Sequence, residues 1–119
     1  MTDLPFLHPF SGLDLTALPE ARARQRGAHP LLLWAPFDAP AEIWSYARFA
    51  EEAARIAGGL AARGVQAGDR VLVHLENCPE ALLARFACAR LGAICVGTNA
   101  MAAGPELAWF AEFSGACCG

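Results

Sequence analysis

The stretch from Arg70 to Gly97 constrains this chain more than any other. Val71, Leu72, Val73 and Leu75 follow the turn Ala67-Gly68-Asp69 as a nearly continuous apolar run, as expected of a strand over 70–75 that is covered on both faces. Pro79 opens a helix that runs to Leu91, with Glu80 in its first turn; proline at the first helical position and an acid near the N-terminus both suit a helix start. Gly92 stops it, and Ala93 to Gly97 is a second short apolar strand. A strand–helix–strand unit of this length implies parallel neighbours with a right-handed crossover.

The flanking segments continue the alternation. Tyr46, Phe49, Ala50, Ala53, Ile56, Ala57 and Leu60 recur at spacings of three and four, which gives one buried helix face over 46–63. Ser45 is its N-cap and Gly64 its stop. Gly58 and Gly59 each weaken that helix by roughly 1 kcal/mol relative to alanine, and the pair is read as a point of close packing against another element. A further helix is expected from Pro105 to about Phe113. The fold class that follows is α/β: a parallel-sheet layer with helices on both sides.

Upstream, Pro5, Pro9 and Gly12 make residues 1–15 irregular. A first helix is expected from Thr16 to Arg26, closed by Gly27, with Arg22, Arg24 and Arg26 as a solvated end that suits the helix dipole. Leu31 to Trp34 reads as a strand, with Ile43-Trp44 as its hairpin partner across an irregular connection. The expected organisation is an irregular segment 1–15 followed by one partial domain over 16–119.

Composition excludes several classes. At 119 residues with 55% hydrophobic side chains, and a mean hydropathy of +0.32, the chain is too apolar for intrinsic disorder. A net charge of −3 gives no electrostatic footprint for nucleic acid or an anionic membrane. No run approaches the roughly 18 apolar residues of a membrane helix, and the start lacks a signal-peptide pattern. The five cysteines, Cys78, Cys88, Cys95, Cys117 and Cys118, do not form a paired zinc pattern. Their odd number without a secretion signal points to reduced thiols and a cytoplasmic location. All nine basic residues are arginine, so there is neither a Schiff-base lysine nor a phosphate-loop lysine.

Gly58, Gly59 and Gly64 lie within and at the end of a helix, the wrong context for a dinucleotide loop, which needs its glycines directly after a strand. His74 alternates with strand residues and is read as packed and hydrogen-bonded; His8 and His29 belong to no constellation. Asn77 is read as the cap of the following helix. Asn99, at the carboxyl end of the second parallel strand, is the first candidate to line a ligand crevice, since open α/β sheets bind ligands at that edge. Cys117-Cys118-Gly119 is read as an unstructured end. No residue is assigned to catalysis or to a metal.

Four ordered blocks carry a family resemblance. Ser45-Tyr46-Ala47-Arg48-Phe49 resembles a helix start "[ST]-Y-x-E-[LF]", and Gly64-Val65-Gln66-Ala67-Gly68-Asp69-Arg70-Val71 a "GV-x-x-GDRV" block. Asn77-Cys78-Pro79-Glu80 resembles "N-[SC]-P-E", and Arg90-Leu91-Gly92-Ala93 with Asn99 resembles "[KR]-LGA" followed by "[LT]-N". Glu106-Leu107-Ala108 continues as "EL-x-[YW]", and 15–34 resembles the opening helix and first strand. In this order the blocks resemble the N-terminal part of the adenylate-forming, or AMP-binding, superfamily, and most closely its acyl-CoA synthetases.

The resemblance implies a two-step parent reaction. A small-molecule carboxylate attacks the α-phosphate of ATP to give an acyl-adenylate and pyrophosphate, and the thiolate of coenzyme A then displaces AMP. Mg²⁺ and cationic or amide donors hold the anionic charge. The family's phosphate loop, aromatic-Gly-x-Thr-Glu motif, ribose-binding Asp and C-terminal Lys all lie beyond the segment matched here. The expectation is therefore an N-terminal fragment, truncated at Gly119, inactive alone and binding none of these cofactors. Such a fragment would self-associate through an open sheet edge. The alternatives are a stand-alone, non-catalytic α/β binding or scaffold module, and the N-terminal part of another adenylating enzyme. Two departures stand out: Arg48 replaces the usual Glu, removing half of a capping box, and Met101 falls where many relatives carry a cation.

Overall fold

The computed structural model describes residues 14–119. Most of the irregular segment expected over 1–15, with His8, lies outside the described residues. The elements are α1 (Ala17–Arg26), β1 (Pro30–Trp34), β2 (Glu42–Ser45), α2 (Tyr46–Ala62), β3 (Arg70–Val73), α3 (Pro79–Leu91), β4 (Ile94–Gly97) and α4 (Gly104–Ser114). This is the α/β alternation that the periodicity predicts. Among the described residues no helix is long and apolar enough to cross a membrane.

β1 and β2 form an antiparallel hairpin, and β3 and β4 pair in parallel through the α3 crossover. The end of the chain adds to the second sheet. Cys117 donates its amide to the Arg70 carbonyl at 2.9 Å, Leu72 donates to the Cys118 carbonyl at 2.8 Å, and Val71 bridges Cys118 in parallel. The unstructured end expected at 117–119 is therefore corrected: its backbone groups are drawn into a ladder by the unpaired edge of β3. β3 becomes the central strand, with β4 on one side and 117–118 on the other. Right-handed crossovers that leave in opposite directions place α3 and α4 on opposite faces of the sheet.

Two clusters hold these layers. Trp44, Phe49, Ala53 and Leu83 join the hairpin, α2 and α3, and the Phe49 and Phe86 rings meet edge to face at 5.2 Å. Val65, Val71 and Cys88 join the α2–β3 loop, β3 and α3. An ion pair between Arg90 and Glu20 ties α3 to α1. Elsewhere large apolar side chains stay exposed, among them the cross-strand neighbours Leu33 and Ile43 and the α4 residues Trp109 and Phe113.

Three local expectations are revised. A side chain at Gly58 would meet nothing within 4 Å, and one at Gly59 only Arg63 Nη1 at 3.7 Å; the pair faces open space and marks no close packing. The first parallel strand ends at Val73, so His74 and Leu75 belong to the loop after it. The loss of Glu at Arg48 leaves the α2 start intact: Ser45 Oγ still accepts from the Arg48 amide at 3.1 Å. The Arg48 guanidinium instead lies 3.7 Å from the centre of the Trp44 ring, a cation–π contact, and pairs with Glu42 at 3.6 Å.

Candidate functional site

In open parallel sheets the carboxyl ends of the strands, where the strand order reverses, form the ligand crevice. Here that edge is built from the loops after β3 and β4. Val73 pairs with Gly97 at the last register position, and Thr98 extends the ladder by donating its amide to the Val73 carbonyl at 3.1 Å. His74 Nδ1 and Thr98 Oγ1 then meet at 2.7 Å, so His74 is the hydrogen-bonded residue that the sequence suggests. No buried side-chain nitrogen or oxygen lacks a partner among the described residues.

Asn99 is exposed at the same edge. Its Oδ1 accepts from the Met101 amide at 3.0 Å and its carbonyl from the Ala102 amide at 2.9 Å. The side chain thus closes the turn leading into α4, with its Nδ2 donors free to meet a ligand. Asn77 does not cap α3. Cys78 occupies the cap position in an extended conformation, no side chain caps the helix, and Pro79 removes one amide that would need an acceptor. Asn77 instead lines two adjoining clefts between the hairpin and α3. One, of about 370 Å³, is walled by Leu32, Trp34, Leu82 and Arg85. The other, of about 600 Å³, is bordered by Phe37, Asp38 and Glu76.

Arg85 and Trp34 are absent from the sequence-derived candidates. The signal for Arg85 was present, because Ala81, Leu82 and Arg85 share a face of α3 at helical spacing. Trp34 comes from the hairpin, and no local pattern joins it to that face.

Cys88 is not set up as a nucleophile. Burial pushes the Cys88 thiol up to about 11, whereas a reactive cysteine needs a lowered value. Burial also raises Cys118, with a hydrogen bond from Cys117 adding to it. Among the described residues no group of three or more His, Cys, Asp or Glu could hold a metal ion. The loop after β3 carries Glu76 and no lysine or glycine. It therefore does not match a nucleotide phosphate cradle, which uses backbone amides and a cation, and no step through ATP or Mg²⁺ is assigned to these residues.

The sequence profile described as AMP-binding enzyme matches residues 19–118. A crotonobetaine/carnitine–CoA ligase of Salmonella paratyphi A is 35% identical over 103 residues, which cover 87% of this chain and 20% of that protein. The corresponding ligase of Salmonella typhimurium is 44% identical over 71 residues, covering 60% of this chain and 14% of its own length. Among solved structures, the inhibitor-bound N-terminal domain of FACL13 from Mycobacterium tuberculosis superimposes with a TM-score of 0.79 at 27% identity, covering 87% of this chain and 25% of that one. O-succinylbenzoate coenzyme A synthetase from Bacillus subtilis, in complex with ATP and magnesium ion, gives 0.73 at 26% identity, covering 82% of this chain and 26% of that one. The chain spans at most about a fifth of the length of these curated relatives.

Proposed function

Because this chain belongs to the AMP-binding enzyme family, we propose that it is the N-terminal part of an AMP-forming acyl-CoA synthetase. In that reading the whole enzyme joins a carboxylate to coenzyme A in the cytoplasm, within fatty acid metabolism. ATP is cleaved to AMP and pyrophosphate with Mg²⁺ as cofactor. The segment described here supplies scaffold. It builds one end of a parallel sheet and presents the loops after β3 and β4 toward the crevice, with Asn99 as its candidate lining residue. The groups that handle phosphate and thioester come from the rest of the enzyme.

The observation that carries this reading is the 35% identity to a CoA ligase along 87% of the chain. The family profile over 19–118 supports it. Sheet edges and helix faces left apolar, as at Leu33, Ile43 and Trp109, agree with a scaffold packed against further structure.

Two assays test it. The purified chain should give no carboxylate-dependent ATP–pyrophosphate exchange and no thioester, and robust turnover by these residues alone would overturn the assignment. Grafting residues 19–118 in place of the matching segment of the Salmonella ligase should leave measurable ligase activity. A soluble, folded chimaera with none would count against the scaffold role.

A further inference from the structure

Cys117 and Cys118 are adjacent in the chain and both exposed, with their sulfurs 3.7 Å apart. That approach is not the default for neighbours in extended backbone, whose side chains point to opposite faces. It arises because the backbone bends at Cys117 while both residues are tied to β3. The Cys117 amide donates to the Arg70 carbonyl, and the Cys118 carbonyl accepts from the Leu72 amide. The sheet edge thus holds two thiols side by side at the surface.

Two fates are open to such a pair. A disulfide usually joins Cα atoms about 4.4–6.8 Å apart, whereas neighbouring residues are fixed at about 3.8 Å. Direct bridging is therefore disfavoured, and the pair persists as a dithiol. Chelation of an ion meets no such limit. Thiolates bound at about 2.3 Å to a tetrahedral ion stand about 3.8 Å from each other, which matches the separation present here.

We propose that Cys117 and Cys118 form a two-thiolate chelating site for a soft, tetrahedral divalent cation of the zinc class. Each thiol releases its proton to solvent as its sulfur–metal bond forms, so binding one ion frees two protons. The Asp69 carboxylate adds negative charge near Cys118, which favours a cation there. It is no third ligand, because among the described residues no group of three or more His, Cys, Asp or Glu could hold a metal ion. Water or a small thiol fills the two remaining positions. Sulfur ligands do not suit Mg²⁺, which takes oxygen, so the site is separate from the Mg²⁺ of the proposed enzyme and does not depend on that reading. Four-ligand zinc sites reach nanomolar affinity or better, and half that free energy gives a Kd of roughly 1–200 µM.

The test is a titration of the reduced full chain with Co²⁺, a spectroscopic stand-in for Zn²⁺, in the absence of oxygen. One ion per chain should bind, giving a sulfur-to-cobalt charge-transfer band and the intense visible bands of tetrahedral cobalt. Zn²⁺ should abolish both by displacement. C117S and C118S should each weaken binding at least about tenfold, since losing even an outer partner of a metal ligand costs about 10–100-fold. C78S should leave binding unchanged, and circular dichroism confirms that each variant is folded. Independently, Zn²⁺ should protect Cys117 and Cys118 from iodoacetamide, as read by mass spectrometry, and Mg²⁺ should not. An absence of saturable charge transfer, unchanged binding in folded C117S or C118S, or one ion per two chains with dimer formation would overturn the proposal. So would protection confined to Cys78 or Cys95.

Discussion

His74 and Thr98 lie 2.7 Å apart at the carboxyl ends of neighbouring parallel strands, joined ring nitrogen to hydroxyl. The contact follows the last ladder bond, Thr98 amide to Val73 carbonyl, and extends strand pairing into side chains. Both residues are half-buried, so removing one partner leaves the other poorly hydrated. Thr98→Val keeps the shape and deletes the hydroxyl. It should cost about 1 kcal/mol in urea unfolding, whereas Thr98→Ser should stay within a few tenths. A loss for Thr98→Ser with none for Thr98→Val would show that the methyl group matters and the bond does not.

The hydrophobic centre predicts a larger effect. Phe49 is 1% exposed and meets Phe86 edge to face at 5.2 Å, where α2, α3 and the hairpin converge. Phe49→Ala should cost about 3–5 kcal/mol. Domains are stable by only about 5–15 kcal/mol in total, so the variant should unfold at a much lower temperature, as seen by calorimetry.

The helix glycines predict the opposite sign. A methyl at Gly58 meets nothing within 4 Å, and both glycines lie inside α2. Gly58→Ala and Gly59→Ala should each stabilise by about 0.5–1 kcal/mol, through the entropy of the unfolded chain. Gly92 differs: its φ is +70°, and a Cβ there would approach the Ala67 Cβ to 3.3 Å. Gly92→Ala should destabilise by about 1 kcal/mol or more. Denaturation midpoints of the three variants check both signs.

Cys88 makes a pH prediction. Burial raises its thiol from an ordinary 9.0 to about 11 in the folded chain. Between those values the unfolded chain has lost the proton and the folded chain keeps it. The stabilisation is thus fully present below pH 9 and is lost as pH rises toward about 11. Cys88→Ala should flatten that alkaline decline while lowering stability near neutrality. Stability measured from pH 8 to 11 separates the two effects. An unchanged alkaline slope in the variant would remove Cys88 as its source.

The strand–helix rhythm between Arg70 and Gly97 is legible in the sequence because each boundary carries its own chemistry. Gly68 turns, Pro79 starts and Gly92 stops with a positive φ. The same holds for Ser45 at the start of α2. What stays hidden depends on partners distant in the chain. Nothing near His74 indicates that Thr98, 24 positions away, supplies its hydrogen bond. The face of α3 carrying Arg85 is readable, but not that Trp34 of the hairpin stands across from it. Asn77 shows the limit of a local rule: its residue type suits a cap, yet the cap falls one position later, at Cys78.

The least legible feature is the pairing of residues 117–118 with β3. Cys117 and Cys118 show no strand periodicity of their own, and their pairing depends on the open edge of β3. Two backbone bonds hold them, Cys117 amide to Arg70 carbonyl and Leu72 amide to Cys118 carbonyl. Deleting residues 117–119 returns that edge to solvent and leaves the Leu72 amide without its acceptor. The loss should be about 1–3 kcal/mol for two bonds, and hydrogen exchange at Leu72 should rise by at least about tenfold. Amides of β3 that face β4, such as Val71, should change less. An exposed strand edge also recruits other chains, so the shortened protein should associate at lower concentration in analytical ultracentrifugation. If Leu72 exchange and association both stay at the level of the full chain, the 117–118 pairing contributes nothing to the sheet. In that case β3 would be an edge strand in solution rather than the centre of the layer.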